Sequence, residues 1–139
     1  MASPSKVKTK KSSFPEDLVF IIPNFLPPTP HLREILQHLA TNYPIYKKVT
    51  IEFIRKNNLK HPIARHCNGQ MIVADDAYNL QVAIGTIRKP RVDLGILRTT
   101  MHEYRHAMQH EEGIPYDCNE ANHFAFKILH EVAKDFFKT

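Results

Sequence analysis

The sequence lacks any long apolar run. No stretch approaches the run of about 18 apolar residues that a membrane-spanning helix needs, so we expect no membrane partner. The basic segment 1–13 has no adjoining apolar segment, which predicts that there is no secretory signal and that the protein is cytoplasmic. Its lysines stand among Ser, Thr and Pro, a composition that predicts a disordered basic tail.

Cysteine is also scarce. The only two, Cys67 and Cys118, are far apart in the sequence and form no Cys-x-x-Cys motif. Such a pair predicts reduced thiols and no disulfide framework. Cys118 lies near the candidate metal ligands described below, but a cysteine in a capping turn more often packs than binds a metal.

No helix-turn-helix, zinc-finger or aromatic–basic RNA motif accompanies the net charge of +5. The tail holds much of this charge, and a second basic cluster consists of Arg88, Lys89, Arg91 and Arg98. We interpret that cluster as a solvated face, with an acidic substrate or a nucleic-acid backbone as the less favoured alternatives. A chain of 139 residues with 42% hydrophobic residues is long enough for one ordinary domain, predicted over residues 14–139.

The most informative stretch present is His102-Glu103-Tyr104-Arg105-His106. Two histidines four residues apart on a helix lie about 40° apart around its axis and one turn along it, so both imidazoles can bind one ion. This His-Glu-x-x-His pattern is typical of zinc peptidases, in which Zn2+ lowers the pKa of a bound water towards roughly 7. Glu103 is the predicted general base, which takes a proton from that water and passes it to the leaving amine.

The helix that carries this motif is predicted to be amphipathic. Asp93 is its predicted N-cap, and Gly113 and Pro115 are expected to end it. Its motif residues and His110 should lie opposite an apolar face that packs on the domain. That predicted face consists of Leu94, Leu97, Met101, Tyr104 and Met108.

A catalytic zinc site needs a third protein ligand. Asp117 is the predicted cap of the next helix, and Glu120 in its first turn is the predicted third ligand, with His123 as the second choice. A structural alternative for Glu120 is a capping box, in which its carboxylate bonds back to the backbone N–H of Asp117. His110 lies about 80° around the helix from His102, so one ion is not expected to reach it as well.

The remaining patterns predict an α+β domain. The proline-rich segment 14–30 is expected to form an extended strap, and residues 31–43 have the apolar spacing of a helix. Strands are predicted around residues 49–53, 71–74 and 80–87, with Asp75 and Asp76 in a turn. Together they predict a small three-stranded twisted sheet with helices on one side, followed by the metal helix and the ligand helix.

The run from residue 102 to residue 110, followed by Glu120-Ala121-Asn122-x-Phe124-Ala125, resembles the ImmA/IrrE-type zinc metallopeptidases. The resemblance implies a zincin-like fold in which His102, His106 and Glu120 bind Zn2+ and Glu103 is the catalytic base. It also implies a zinc metalloendopeptidase in which an edge strand, here residues 80–87, pairs with an extended protein or peptide substrate. A transcriptional repressor is the substrate suggested by analogy with that family.

Two other functions are also compatible with the His-Glu-x-x-His motif. Arg105 would oppose metal binding unless it points away to an acidic partner, and a protein with weakened catalysis would be a zinc-stabilised binding module. The other rival is a DNA-associated peptidase like the SprT-type proteins, which share the motif but use a third histidine. The sequence does not predict an oligomeric state.

Overall fold

The computed structural model describes residues 21–23, 25–55, 69–84 and 93–136. In chain order the elements are β1 (Ile21–Pro23), α1 (Leu32–Asn42), β2 (Lys48–Arg55), β3 (Gly69–Val73), β4 (Ala77–Ile84), α2 (Leu94–Glu112) and α3 (Cys118–Phe136). The predicted α+β class is confirmed. The predicted basic tail and Cys67 lie outside the described residues.

The strands form one mixed sheet in the order β1-β2-β4-β3. β2 runs parallel to both β1 and β4, whereas β3 runs antiparallel to β4. The three predicted strands are present, and β1, from the predicted strap, adds a short fourth. The prediction that residues 80–87 form an edge strand is wrong, because their described part lies in β4, which has a neighbour on each side. The alternation of apolar residues reveals which face of a strand is buried, but not which strands are neighbours.

One face of the sheet holds the core. Strand alternation points three residues each from β2 and β4 towards the helices, and all six are buried. They are Val49, Ile51, Phe53, Tyr78, Leu80 and Val82. Burial of a large apolar side chain contributes about 1.5–3 kcal/mol, so this layer accounts for much of the attachment of the helices to the sheet.

α2 begins and ends where the sequence predicts. The Asp93 side chain accepts a hydrogen bond from the backbone N–H of Ile96 at 3.1 Å, and Gly113 ends the helix in the left-handed conformation with φ 75°. The predicted one-sided burial of α2 is wrong, however. Leu94 is 53% exposed, whereas Glu103 and His106 on the motif side are 4% and 0% exposed. The reason is that α2 packs against both the sheet and α3, so that both of its long faces are covered.

The C-terminal turn of α2 is attached to the start of β2. The Glu111 carboxylate accepts hydrogen bonds from the backbone N–H groups of Tyr46, at 2.9 and 3.0 Å, and Lys47, at 2.9 Å. This contact fixes the position of the motif helix along the sheet. None of the helices in the described part of the chain combines the length and the apolar character that a membrane crossing requires.

Candidate metal centre

The two motif histidines converge with a cysteine. His102 Nε2 and His106 Nε2 lie 3.0 Å apart, because the residues are one helical turn apart on the same side of α2. Cys118, the first residue of α3, places its Sγ atom 3.7 Å from His106 Nε2. The three donor atoms all lie within 4.8 Å of one another. Two adjacent helices therefore bring two imidazoles and one thiol to a single point.

This group fits zinc. Tetrahedral Zn2+ with ordinary bond lengths separates two imidazole nitrogens by about 3.3 Å and a nitrogen from a thiolate sulfur by about 3.6 Å. The observed separations of 3.0 and 3.7 Å are close to these values. Imidazole and thiolate are ligands that zinc prefers, and three protein donors leave one tetrahedral position for a water or a substrate.

The outer nitrogens of both imidazoles face side-chain amides. His106 Nδ1 lies 2.8 Å from Gln109 Oε1, and His102 Nδ1 lies 2.7 Å from Asn122 Oδ1. Because an amide oxygen only accepts, these contacts favour a proton on each Nδ1 and a lone pair on each Nε2. Burial lowers the pKa of both histidines, which favours the neutral form that binds metals. Two lone pairs at 3.0 Å repel each other unless a cation or a proton lies between them.

Glu103 is buried beside this group. Its Oε1 atom has no hydrogen-bond partner among the described residues, and burial raises the pKa of its carboxyl group to about 8. An unpaired buried polar atom costs about 1–3 kcal/mol, and such strained groups are concentrated at functional sites. Glu103 is therefore held in this position at a cost to stability, and its role as a catalytic base stays a prediction.

A cleft of about 280 Å³ opens beside these side chains. It is lined by Gly69, Arg98, Thr99, His102, Glu103, Cys118 and Asn122. A Cβ atom on Gly69 would lie 2.7 Å from the Gln81 carbonyl oxygen and 2.8 Å from Thr99 Cγ2. Glycine at this position thus allows β3 to lie close against α2 at the wall of the cleft.

Glu120, the predicted third ligand, is not a member of the converging group. Its Oε1 atom accepts hydrogen bonds from Arg105 Nε and from Gln109 Nε2, both at 2.7 Å. The bond from Arg105 is the largest of the effects that lower the pKa of Glu120. Arg105 therefore does point to an acidic partner. The ligand role of Glu120 stays a prediction from the sequence, and the geometry favours Cys118 for the third position.

The cap of α3 differs in part from its prediction. Asp117 is confirmed as a cap, since its Oδ1 atom accepts a hydrogen bond from the backbone N–H of Glu120 at 3.1 Å. The capping-box alternative for Glu120 is wrong, because the backbone N–H of Asp117 donates to Gln109 Oε1 at 3.2 Å. The expectation that Cys118 packs is also wrong, because this cysteine is exposed and its sulfur lies beside His106.

The other candidates lie outside the metal group. His110 Nδ1 is 3.0 Å from the Tyr78 hydroxyl, and His123 is an exposed residue of α3. The SprT-type alternative requires a third histidine, and the described residues bring none to the group.

The Tyr116 ring stacks on His106 with centroids 3.8 Å apart and covers it from solvent. Gln109 and Asn122 were not predicted. Gln109, three residues after His106 on the same helix, could have been found from its spacing, whereas Asn122 depends on the packing of α3 on α2.

Comparisons with protein-family models, with curated proteins and with solved structures find no match to this chain. The interpretation of its function therefore depends on the residues and geometry of the cleft. Those residues combine metal-binding donors with a buried carboxyl group.

Proposed function

We propose that the protein is a zinc-dependent peptidase whose ion is held by His102, His106 and Cys118. One observation carries the proposal: three zinc-type donors converge, two of them, from His102 and Cys118, line a cleft, and Glu103 in the same lining has a buried carboxyl group without a partner at Oε1 among the described residues. Purely structural zinc sites are closed by four protein ligands, whereas catalytic sites have three and keep one position open. The resemblance of the motif to the ImmA/IrrE-type metallopeptidases supports zinc, the two histidine ligands and the role of Glu103, but it implies Glu120 and not Cys118 as the third ligand.

When bound, zinc would supply a Lewis acid for the scissile carbonyl and a water of lowered pKa. The positive charge of the bound ion would oppose the effect of burial on the Glu103 carboxyl group, whose carboxylate form would accept a proton from the attacking water and return it to the leaving amine. Burial of Glu103 strengthens the electrostatic interactions of its carboxyl group in the cleft. Gln109 and Asn122 would hold the two imidazoles in the orientation that presents Nε2 to the ion.

The substrate we propose is an extended segment of a protein or peptide. Among the described strands, β3 pairs only with β4, so its other edge can add a further strand beside the cleft. Arg98 lines the cleft, and none of the ion pairs within 4.0 Å among the described residues includes its guanidinium group. This positive charge favours an acidic residue in the bound segment. A transcriptional repressor, suggested by the family resemblance, is one such protein substrate.

The test is zinc-dependent cleavage of casein by the purified full chain, with the cut sites mapped by mass spectrometry. We expect cleavage that a chelator abolishes and that added zinc restores. Glu103→Gln should keep its zinc but cleave about 10²–10⁴-fold more slowly, because it cannot take a proton. Glu34→Gln, at an exposed glutamate of α1, is the matched control and should cleave at the wild-type rate.

Equal rates for Glu103→Gln and the wild type would contradict the catalytic role of Glu103. If the zinc-loaded wild type cleaves neither casein nor a random peptide mixture, the peptidase proposal is wrong and a zinc-stabilised binding module becomes the better interpretation.

A further inference from the structure

The Gln109 side chain is enclosed and fully hydrogen-bonded. It is 1% exposed, and its Nε2 donates to the Asp117 carbonyl at 3.1 Å and to Glu120 Oε1 at 2.7 Å. Its Oε1 accepts from the backbone N–H of Asp117 at 3.2 Å and faces His106 Nδ1 at 2.8 Å. An amide has two donor hydrogens and two acceptor positions, so every hydrogen-bonding position of this side chain is used.

These contacts allow only one orientation of the amide. If Oε1 and Nε2 were exchanged, the amide NH2 would face the backbone N–H of Asp117, and the oxygen would face the Glu120 carboxylate. Both contacts would be repulsive. The orientation is therefore set by neighbours other than His106, and the proton on His106 Nδ1 follows from it.

The Glu120 carboxylate is itself held by a cation. Arg105, one residue before His106, donates from Nε to Glu120 Oε1 at 2.7 Å, and its guanidinium group lies 5.3 Å from the Phe124 ring centroid. The Arg105 side chain is only 15% exposed. A continuous chain of hydrogen bonds thus runs from Arg105 through Glu120 and Gln109 to the imidazole of His106.

We propose that Gln109 is the positioning residue of the metal centre: it locks His106 in the tautomer that presents a bare Nε2 to the ion, and Glu120, paired with Arg105, holds Gln109 in place. The inference rests on the proposed zinc site and assigns Glu120 to the support of a ligand. Groups that orient a ligating histidine typically change metal affinity by about 10–100-fold when they are removed.

The first test measures the tautomer without any metal. Long-range ¹H–¹⁵N NMR of the metal-free full chain, at a pH where imidazoles are neutral, should find the His106 proton on Nδ1. Comparison with His106→Ala identifies the signals among the nine histidines. In Gln109→Met, which keeps the length of the side chain but loses the amide, the proton should move partly or wholly to Nε2. A His106 proton on Nε2 in the wild type would overturn the inference.

The second test measures zinc affinity by competition with a chromophoric chelator. Gln109→Met should bind zinc about 10–100-fold more weakly than the wild type. Gln37→Met, at an exposed glutamine of α1, is the matched control and should bind as the wild type does. Glu120→Ala should also weaken binding, whereas Glu120→Gln, which keeps an oxygen acceptor for Gln109, should recover most of the loss. If Gln109→Met does not fold, the two Glu120 variants carry the test, because Glu120 is partly exposed.

The outcomes separate this inference from the proposed function. A wild type that binds zinc with the same affinity as Gln109→Met and Glu120→Ala overturns the inference and leaves the zinc site intact. If Glu120→Gln loses zinc as completely as His106→Ala, Glu120 is a direct ligand, and the positioning role is wrong. A wild type that binds no zinc overturns the proposed function, and the inference with it.

Discussion

Gly69 is the residue at which one added methyl group would disturb the cleft most directly. We predict that Gly69→Ala separates β3 from α2, because the new Cβ would contact the Gln81 carbonyl and Thr99 Cγ2 well inside normal van der Waals distance. Overpacking of this kind costs about 1–3 kcal/mol of unfolding free energy, measurable by urea denaturation. Gly95→Ala is the control, since its Cβ would approach only the end of the Asp93 side chain at 3.2 Å. Equal stability of the two variants would contradict the predicted close approach.

For individual residues, the sequence predicts the members of the motif better than it predicts the third metal ligand. His102, His106 and Glu103 follow from helical spacing alone. The third position does not, because Cys118 and Glu120 point about 200° apart around α3, and only the rotation of that helix decides which one faces the histidines. Arg105 accounts for the arrangement, since it pairs with Glu120 and holds that carboxylate outside the metal group.

At the scale of elements, the junction between α2 and β2 depends on one carboxylate. Glu111 accepts hydrogen bonds from the backbone N–H groups of Tyr46 and Lys47, and hydrogen bonds to a charged group contribute about 1.5–3 kcal/mol. We predict that Glu111→Ala lowers the unfolding free energy by about 1–3 kcal/mol. Glu112→Ala, at the adjacent exposed position, should change it by about 1 kcal/mol or less. Thermal or urea unfolding of both variants checks this, and a larger loss for Glu112→Ala would contradict it.

The elements themselves were largely predictable, but their arrangement was not. Alternation in Lys48–Arg55 identifies β2, and the caps Asp93 and Gly113 define α2, because these signals are local. Strand order is a non-local property, and β4 proved to be a central strand. No signal in the sequence indicates this, because the burial of the polar Gln81 between Leu80 and Val82 is visible only in the folded structure.

At the scale of the whole molecule, zinc should stabilise the fold, because its proposed ligands join α2 to α3. A ligand at a free concentration of 100 times its Kd adds about 2.7 kcal/mol, and each kcal/mol shifts Tm by about 2–8 °C. We therefore predict that chelation lowers Tm by about 5–20 °C in the wild type. The Tm of His102→Ala should not respond to zinc or to chelator. An equal response from that variant would place the stabilising ion elsewhere.

The central claim is that two imidazoles and the Cys118 thiolate share one ion. The most direct test is the absorption spectrum of the cobalt(II)-substituted protein, in which a thiolate ligand gives a charge-transfer band in the near ultraviolet. The account predicts this band in the wild type and in Glu120→Ala, and its loss in Cys118→Ser. A wild-type spectrum without the band, or a band that survives in Cys118→Ser, would contradict it.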